Sequence, residues 1–151
     1  EPLARIHVDL FGPVEVPALG EGWRYGLVIK DEYSRYLVVR YCREKFKTDV
    51  FDQLVTGINE LEALAGGREV KRLRSDNGGE FVGEDVRAYC NRRHILLEPS
   101  APYSPQQNGL AERSIRTVIT LARTNLIAAG APKDLWAEAV SAVAYLLNRC
   151  P

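Results

Sequence analysis

Three short runs rich in β-branched and aromatic residues, ARIHVDLF, YGLVIKD and YLVVRYC, follow one another before any helical periodicity appears. Runs of this kind read as strands. A Gly/Pro-containing loop around Pro17–Gly22 joins the first two, and the polar turn DEYSR joins the second to the third. The expectation is an antiparallel meander. The pattern then changes. Val50, Phe51, Leu54, Val55, Ile58 and Leu61 recur at helical spacing behind Thr48, read as the N-cap, and Gly66-Gly67 ends the helix. VKRLRS is a fourth strand, GEDVRAYCNRR a short helix and HILLEP a fifth strand. Pro99, Pro102 and Pro105 mark an irregular loop. A long helix from about Gly109 to Ala129 buries Ile115, Val118, Ile119, Ala122 and Leu126, and Gly130 and Pro132 break it. A last helix carries Trp136, Val140, Val143 and Leu147 on one stripe. The order βββαβαβαα predicts an α/β layer fold around a mixed five-stranded sheet.

The 151 residues suit one domain with a real core. No apolar stretch approaches the roughly 18–20 residues that span a bilayer, so no membrane partner is expected. With 20 basic and 20 acidic residues the formal charge is zero, which argues against strong stand-alone DNA affinity. It leaves DNA open as a substrate, because local patches can supply the attraction. Cys42, Cys90 and Cys150 form no CxxC pair, so a structural zinc site is not expected, and the scattered set suits reduced thiols. The chain contains no Met, which reads as a piece of something longer.

Against this frame stand three carboxylates, Asp9, Asp76 and Glu112. Asp9 lies in the first strand run, Asp76 follows the fourth, and Glu112 lies where a Pro/Asn/Gly turn opens into the long helix. Acids at strand ends and a helix start can converge, and hard divalent cations prefer such oxygen-only sites. Crowded carboxylates also repel, so at least one should hold its proton more tightly without metal. Glu112 equally suits the helix dipole as a solvated acid. Asn77-Gly78-Gly79 supplies a turn after Asp76, with Glu80 a fourth acid nearby. Asp31, before a hairpin turn, reads as turn-forming. His7 shares the strand face of Asp9 and suits a core or supporting role. Trp136 reads as a core or interface anchor.

The words HVDLFGP, IKDEYSRY, RSDNGGEF, PYSPQQNGLAER and LWAEAVSAVAYLLNR run in order along nearly the whole chain, with 35 residues between Asp76 and Glu112. Together they resemble the catalytic core of the retroviral integrase superfamily, most closely the copia-type integrases of LTR retrotransposons. The resemblance implies an RNase H-like fold, with flanking zinc-binding and basic C-terminal domains not visible in this chain. It implies two Mg²⁺ or Mn²⁺ ions held by Asp9, Asp76 and Glu112, and metal-dependent joining of element-end DNA 3′-hydroxyls to target DNA. Possible trimming of those ends by water is part of the same expectation. Glu80 is not one of its metal-binding three.

By the same resemblance Tyr103 and Asn108 stand where integrases contact the element DNA end. Arg116, one turn past Glu112, stands where a basic residue meets DNA phosphates, and Arg113 and Arg123 extend that basic side. The resemblance further implies action in the nucleus after a cytoplasmic particle stage. It implies a homodimer through helices 48–64 and 133–149, with Leu61, Leu64, Leu135, Tyr145 and Leu146 as spare apolar positions, and a higher oligomer in the full-length protein. Two rivals remain. One is a domesticated module that binds or assembles without catalysis, against which the intact trio counts. The other is a transposase or RNase H-like nuclease, against which PQQNGLAER and the terminal NR count.

Overall fold

The computed structural model describes residues 1–100 and 108–150. Its strands are β1 (Ile6–Phe11), β2 (Tyr25–Asp31), β3 (Leu37–Cys42), β4 (Arg72–Ser75) and β5 (Leu96–Pro99). Its helices are α1 (Lys47–Leu64), α2 (Glu84–Arg92), α3 (Gly109–Ala129) and α4 (Trp136–Leu147), the last entered through a 3₁₀ turn over Lys133–Leu135. The expected order is therefore observed. The sheet runs β3-β2-β1-β4-β5, antiparallel across β1–β2–β3 and parallel across β1–β4–β5.

Alternation along β1 sorts the two cores, because successive side chains point to opposite faces. Ile6 and Val8 join Leu27, Ile29, Val38, Leu54, Ile58 and Phe81 on the face covered by α1 and α2. Phe11 joins Val28, Leu37, Val118, Trp136, Val140 and Val143 on the face covered by α3 and α4. Asp9 shares the parity of Phe11, so the strand register aims it toward α3. Trp136 is a core anchor: its ring meets Phe11 and Tyr41 edge-on, and its Nε1–H donates to the Val16 carbonyl at 3.0 Å.

Two expectations are corrected. Thr48 does not cap α1. The helix begins one residue earlier, behind an extended Phe46, with no side-chain cap. Asp49 braces the entry instead, its carboxylate accepting from the Arg43 N–H at 3.0 Å and the Glu44 N–H at 3.5 Å, as suits a charged acceptor near a helix start. Leu61 is not a spare surface position: at 2% exposed it packs in the sheet core. The end of α1 is as expected. Gly66 and Gly67 take positive φ, and their N–H groups donate to the Ala63 and Glu62 carbonyls, a Schellman closure.

Side chains tie the elements that carry the site. Glu98 on β5 accepts from Arg5 (3.0 Å), Arg72 (3.2 Å) and Arg74 (2.8 Å), binding β4 and β5 to the lead-in of β1. Buried His7 reaches Glu32 through Nε2 at 2.7 Å, which fits the supporting role read for it. Asp31, 1% exposed, accepts from the Leu3 and Ser34 N–H groups and the Ser34 hydroxyl, the turn-forming role expected. At the outer strand, the Asn148 amide accepts from the Leu37 N–H (2.8 Å) and donates to the Leu37 carbonyl (2.7 Å). Burial pushes the Cys42 thiol up to about 12 and the Cys90 thiol to about 11, while Cys150 is exposed. Among the described residues no helix is long and apolar enough to cross a membrane.

Gly26 faces Phe11 across the β1–β2 ladder, and a Cβ there would run into the Phe11 ring. Gly26→Ala should therefore destabilise by about 1–3 kcal/mol through overpacking. Urea unfolding checks it; an unchanged midpoint would mean that the ring swings aside freely.

Candidate active site

The site is built where β1 and β4 run side by side. Their pairing is parallel, with Ile6 level with Leu73 and His7 with Arg74. Asp9 lies two residues beyond His7, and Asp76 two beyond Arg74, so both acids stand at the same end of the sheet. Asp9 is still inside β1, opposite Val28 of β2, while Asp76 is the first residue past β4.

A short turn shapes the Asp76 side. Its Oδ1 accepts from the Gly78 N–H at 2.9 Å, the side-chain-to-backbone turn that aspartate favours. A Cβ on Gly78 would lie 2.8 Å from that Oδ1 and 2.9 Å from the Glu80 Oε1. Glycine is what allows the two carboxylates to face each other there. Asn77 donates from Nδ2 to the Ser100 carbonyl at 2.7 Å, and the Ser100 hydroxyl donates to the Ser75 carbonyl at 2.9 Å, so the turn is anchored to the end of β5.

Glu112 lies in the first turn of α3 and is exposed. The start of that helix is held by Asn108. This side chain, 2% exposed, donates from Nδ2 to the Val8 carbonyl at 3.2 Å, one residue before Asp9. Its backbone carbonyl accepts from Ala111 and Glu112. Asn108 was expected at the DNA. In the structure it faces inward, as a brace between the strand of Asp9 and the helix of Glu112, and its Oδ1 is buried without a hydrogen-bond partner among the described residues.

Electrostatics bring the acids together more clearly than contact does. The Asp9 carboxyl is pushed up to about 6, first by burial, then by the charges of Asp76, Glu112 and Glu80, against a bond from the Leu10 N–H at 2.9 Å. Among the described residues, however, no three His, Cys, Asp or Glu side chains are gathered closely enough to hold a metal ion. The expected closed trio is thus an open one in this conformation, with Glu112 facing solvent. The donor set fits a hard divalent cation in kind: oxygen-only, anionic and mutually repelling in the absence of a counter-charge.

The remaining expected residues separate. Arg116 is exposed on α3, and among the described residues no ion pair joins it to Glu112. Arg113 turns toward Lys30 and Arg35. Arg123 sits about 16 Å along the helix axis from Glu112, at an apolar groove beside Trp136 and Leu126. Tyr103 lies outside the described residues. Sequence reasoning undervalued Glu80. Its side chain is only 9% exposed, it adds to the field on Asp9, and it meets Lys45 Nζ at 3.3 Å. The signal was its position four residues past Asp76 across a glycine turn; the Lys45 partner had none.

The family model described as integrase core domain matches residues 1–105. The chain belongs to the integrase core family. Relatives of this integrase core bear out the likeness to copia-type retrotransposon integrases. The retrovirus-related Pol polyprotein from transposon TNT 1-94 of Nicotiana tabacum is 40% identical over 97% of the chain. Those from transposons RE2 and RE1 of Arabidopsis thaliana are 33% and 32% identical over 100% and 99% of it. The chain spans only about a tenth of these polyproteins, 11%, 10% and 10% of their lengths.

Solved structures agree on the RNase H-like fold. The chain in the simian T-cell lymphotropic virus intasome with PP2A regulatory subunit B56 gamma matches at TM-score 0.78 and 18% identity, over 99% of this integrase core and 50% of that chain. The BIV integrase catalytic core matches at 0.69 and 18%, over 99% and 86%. The HTLV-2 integrase catalytic core in complex with magnesium, in its trimeric form, matches at 0.70 and 15%, over 99% and 88%.

The raised Asp9 carboxyl has a sign that can be tested. Its proton is held more tightly in the folded chain than in the unfolded one, so stability is fullest below the ordinary value of 3.8 and falls as pH rises through about 6. Asp9→Asn keeps the acceptor for Leu10 and removes the charge. It should stabilise the metal-free integrase core by roughly 1–2 kcal/mol near neutral pH, after allowance for water at the partly exposed carboxyl, and by nothing near pH 3. Thermal melts at the two pH values decide it; an equal gain at both would place the effect in packing.

Proposed function

We propose that this integrase core joins the 3′-ends of retrotransposon DNA to target DNA by phosphoryl transfer, using Asp9, Asp76 and Glu112. The observation that carries the reading is one of placement: Asp9 and Asp76 stand at the same end of adjacent parallel strands and Glu112 on the first turn of α3, and after burial the charges of Asp76 and Glu112 help to raise the Asp9 carboxyl. These three residues would hold divalent cations, two as we read the site, which when bound lower the charge barrier to nucleophile and leaving oxygen. The 3′-hydroxyl oxygen of the element end attacks the target phosphorus in line, the 3′-oxygen of the target strand leaves, and the proton of the nucleophile is lost as the leaving oxygen gains one. No covalent enzyme intermediate is needed. Water in place of the hydroxyl gives end trimming.

The chain's own part is placement. Asn108 and the Asp76–Gly78 turn set the carboxylates, and Glu80 with Lys45 tunes the charge beside them. Tyr103, Arg113 and Arg116 are proposed to hold DNA, Tyr103 by stacking and the arginines at phosphates. Nuclear action belongs to the same reading.

Asp76→Asn removes a charge at nearly constant volume. Strand transfer into target DNA, assayed with an element-end duplex and Mn²⁺, should fall to background. The melting temperature without metal should stay equal or rise slightly. Added Mg²⁺ should raise the melting temperature of the wild type and leave that of the variant unchanged. Transfer by the variant at the wild-type rate would remove the reading, and loss of its fold would make Asp76 structural.

The HTLV-2 integrase core with magnesium also occurs in a dimeric form. We propose a two-fold dimer here through α1 and the 133–149 segment. Leu64, Tyr145 and Leu146 are 58%, 57% and 53% exposed, and Leu135, at the start of the 133–149 segment, is half-buried. Both helices pack on the outer strand β3, one from each face, and these positions on both copies would make an isologous interface, expected to bury more than about 1,000 Å². Sedimentation at micromolar concentration should give the mass of two chains, and Leu146→Glu that of one; a wild-type monomer would end this claim alone.

A further inference from the structure

A recess of about 240 Å³ opens between the β2–β3 turn and the first turns of α3, on the side of the helix that Arg113 occupies. Its walls carry Lys30, Arg35 and Arg113, with Thr117, Leu110 and Leu147. Among the described residues no carboxylate lines it. Among the described residues none of the three cations makes a side-chain hydrogen bond or ion pair, and the stretch 101–107 contains neither Asp nor Glu. Other arginines of the chain, Arg5, Arg40, Arg43, Arg72, Arg74 and Arg93, meet acids; what sets the recess apart is that its cations face one another.

Two further features mark the recess as built. Lys30 is rooted in the sheet, level with His7 on β1 and Leu37 on β3. Burial, then the charges of Arg35 and Arg113, push its ammonium group below its ordinary range. Arg35 holds φ at 64°, a region that a long L side chain enters against a steric penalty and that glycine or asparagine would take freely. A turn that keeps arginine there keeps it at a cost to the fold.

We propose that this recess is a phosphate-binding site, and that its occupant is a backbone phosphate of the DNA brought to the acid trio. The proposal rests on the DNA-joining reading above. Three donors of positive charge around one small cavity suit a tetrahedral oxyanion, with Arg113 and Arg35 able to give paired N–H donors and Lys30 a point charge. Arg113 follows Glu112 directly, about 100° further around α3. The recess is thus about one helix width from the trio, roughly 10 Å, which spans two to three phosphates at the 3.4 Å rise of one strand. A strand seated here would run past Glu112 with its register already set.

The test uses the 151-residue chain, without divalent metal, and compares wild type with Lys30→Gln, Arg35→Gly and the Lys30→Gln/Arg113→Gln pair. Fluorescence anisotropy of a labelled duplex is titrated at stepped low salt. Each single change should weaken binding about threefold over the salt range and lower the slope of log affinity against log salt by about one; the pair should lower it by about two. Arg35→Gly should do this with an equal or higher melting temperature, which a structural role for that arginine would not produce. In a second arm inorganic phosphate should raise the wild-type melting temperature, and Lys30→Gln should abolish the rise. Unchanged DNA affinity and slope in all variants would overturn the proposal. Phosphate binding lost in Lys30→Gln, with no duplex binding by the wild type, would keep the anion site, remove DNA as its occupant and count against the DNA-joining reading. Neither response in either arm would remove the site itself.

Discussion

Two rungs of parallel pairing between β1 and β4 hold this molecule's chemistry in place. Ile6 pairs with Leu73 and His7 with Arg74, the Lys71 N–H donates to the Leu3 carbonyl just before them, and this short ladder sets Asp9 and Asp76 at a common end. Parallel pairing is slightly weaker per residue than antiparallel, and β4 is only four residues long. The chain compensates with side chains. Glu98 gathers Arg5, Arg72 and Arg74 at one end of the pair. Ser100 and Asn77 link β4 to β5 at the other. Glu62 on α1 accepts from the Val70 N–H just before β4 at 2.9 Å and meets Arg93 at 2.8 Å, so the helix layer also steadies the strand. A slip of one residue at this junction would turn Asp9 or its partner to the other face.

What is held there works against stability. Burial and three neighbouring acids act on Asp9 together, and one of those acids, Glu80, meets Lys45 at 3.3 Å. Cations crowd one another in a separate recess on the neighbouring face of α3. The same helix therefore divides negative from positive, with Glu112 and Arg113 adjacent in sequence but turned to different neighbourhoods. Sites arranged for binding charge often carry such uncompensated fields.

Much of this was legible in the chain. The three opening strands announced themselves through branched residues and the DEYSR turn. The positions of Asp9, Asp76 and Glu112 followed from the elements around them, because strand ends and a helix start can be read from periodicity and turn residues. What escaped depended on tertiary partners. Thr48 looked like a cap, but Asp49 reaches back to the Arg43 N–H, a contact that only the folded connection creates. Leu61 looked spare on a helical wheel and is core, because both the sheet and α2 pack on α1. Asn108 looked like a turn or DNA residue, and its tie to the Val8 carbonyl crosses 100 positions of sequence. The depth of burial at Glu80 and its pairing with Lys45 are likewise invisible to spacing.

The Asn148 amide on Leu37 has a meaning beyond joining α4 to the sheet. β3 is an outer strand, and an outer strand offers unpaired N–H and C=O groups to any extended segment that drifts past. By filling both groups of the first residue, one side chain acts as a stopper at the mouth of that ladder. A foreign strand seeking register would have to begin further along, with fewer bonds to gain. In a protein proposed to gather in several copies, this lets helices rather than strand edges decide how neighbours meet, and separates assembly from the route to fibrous aggregates.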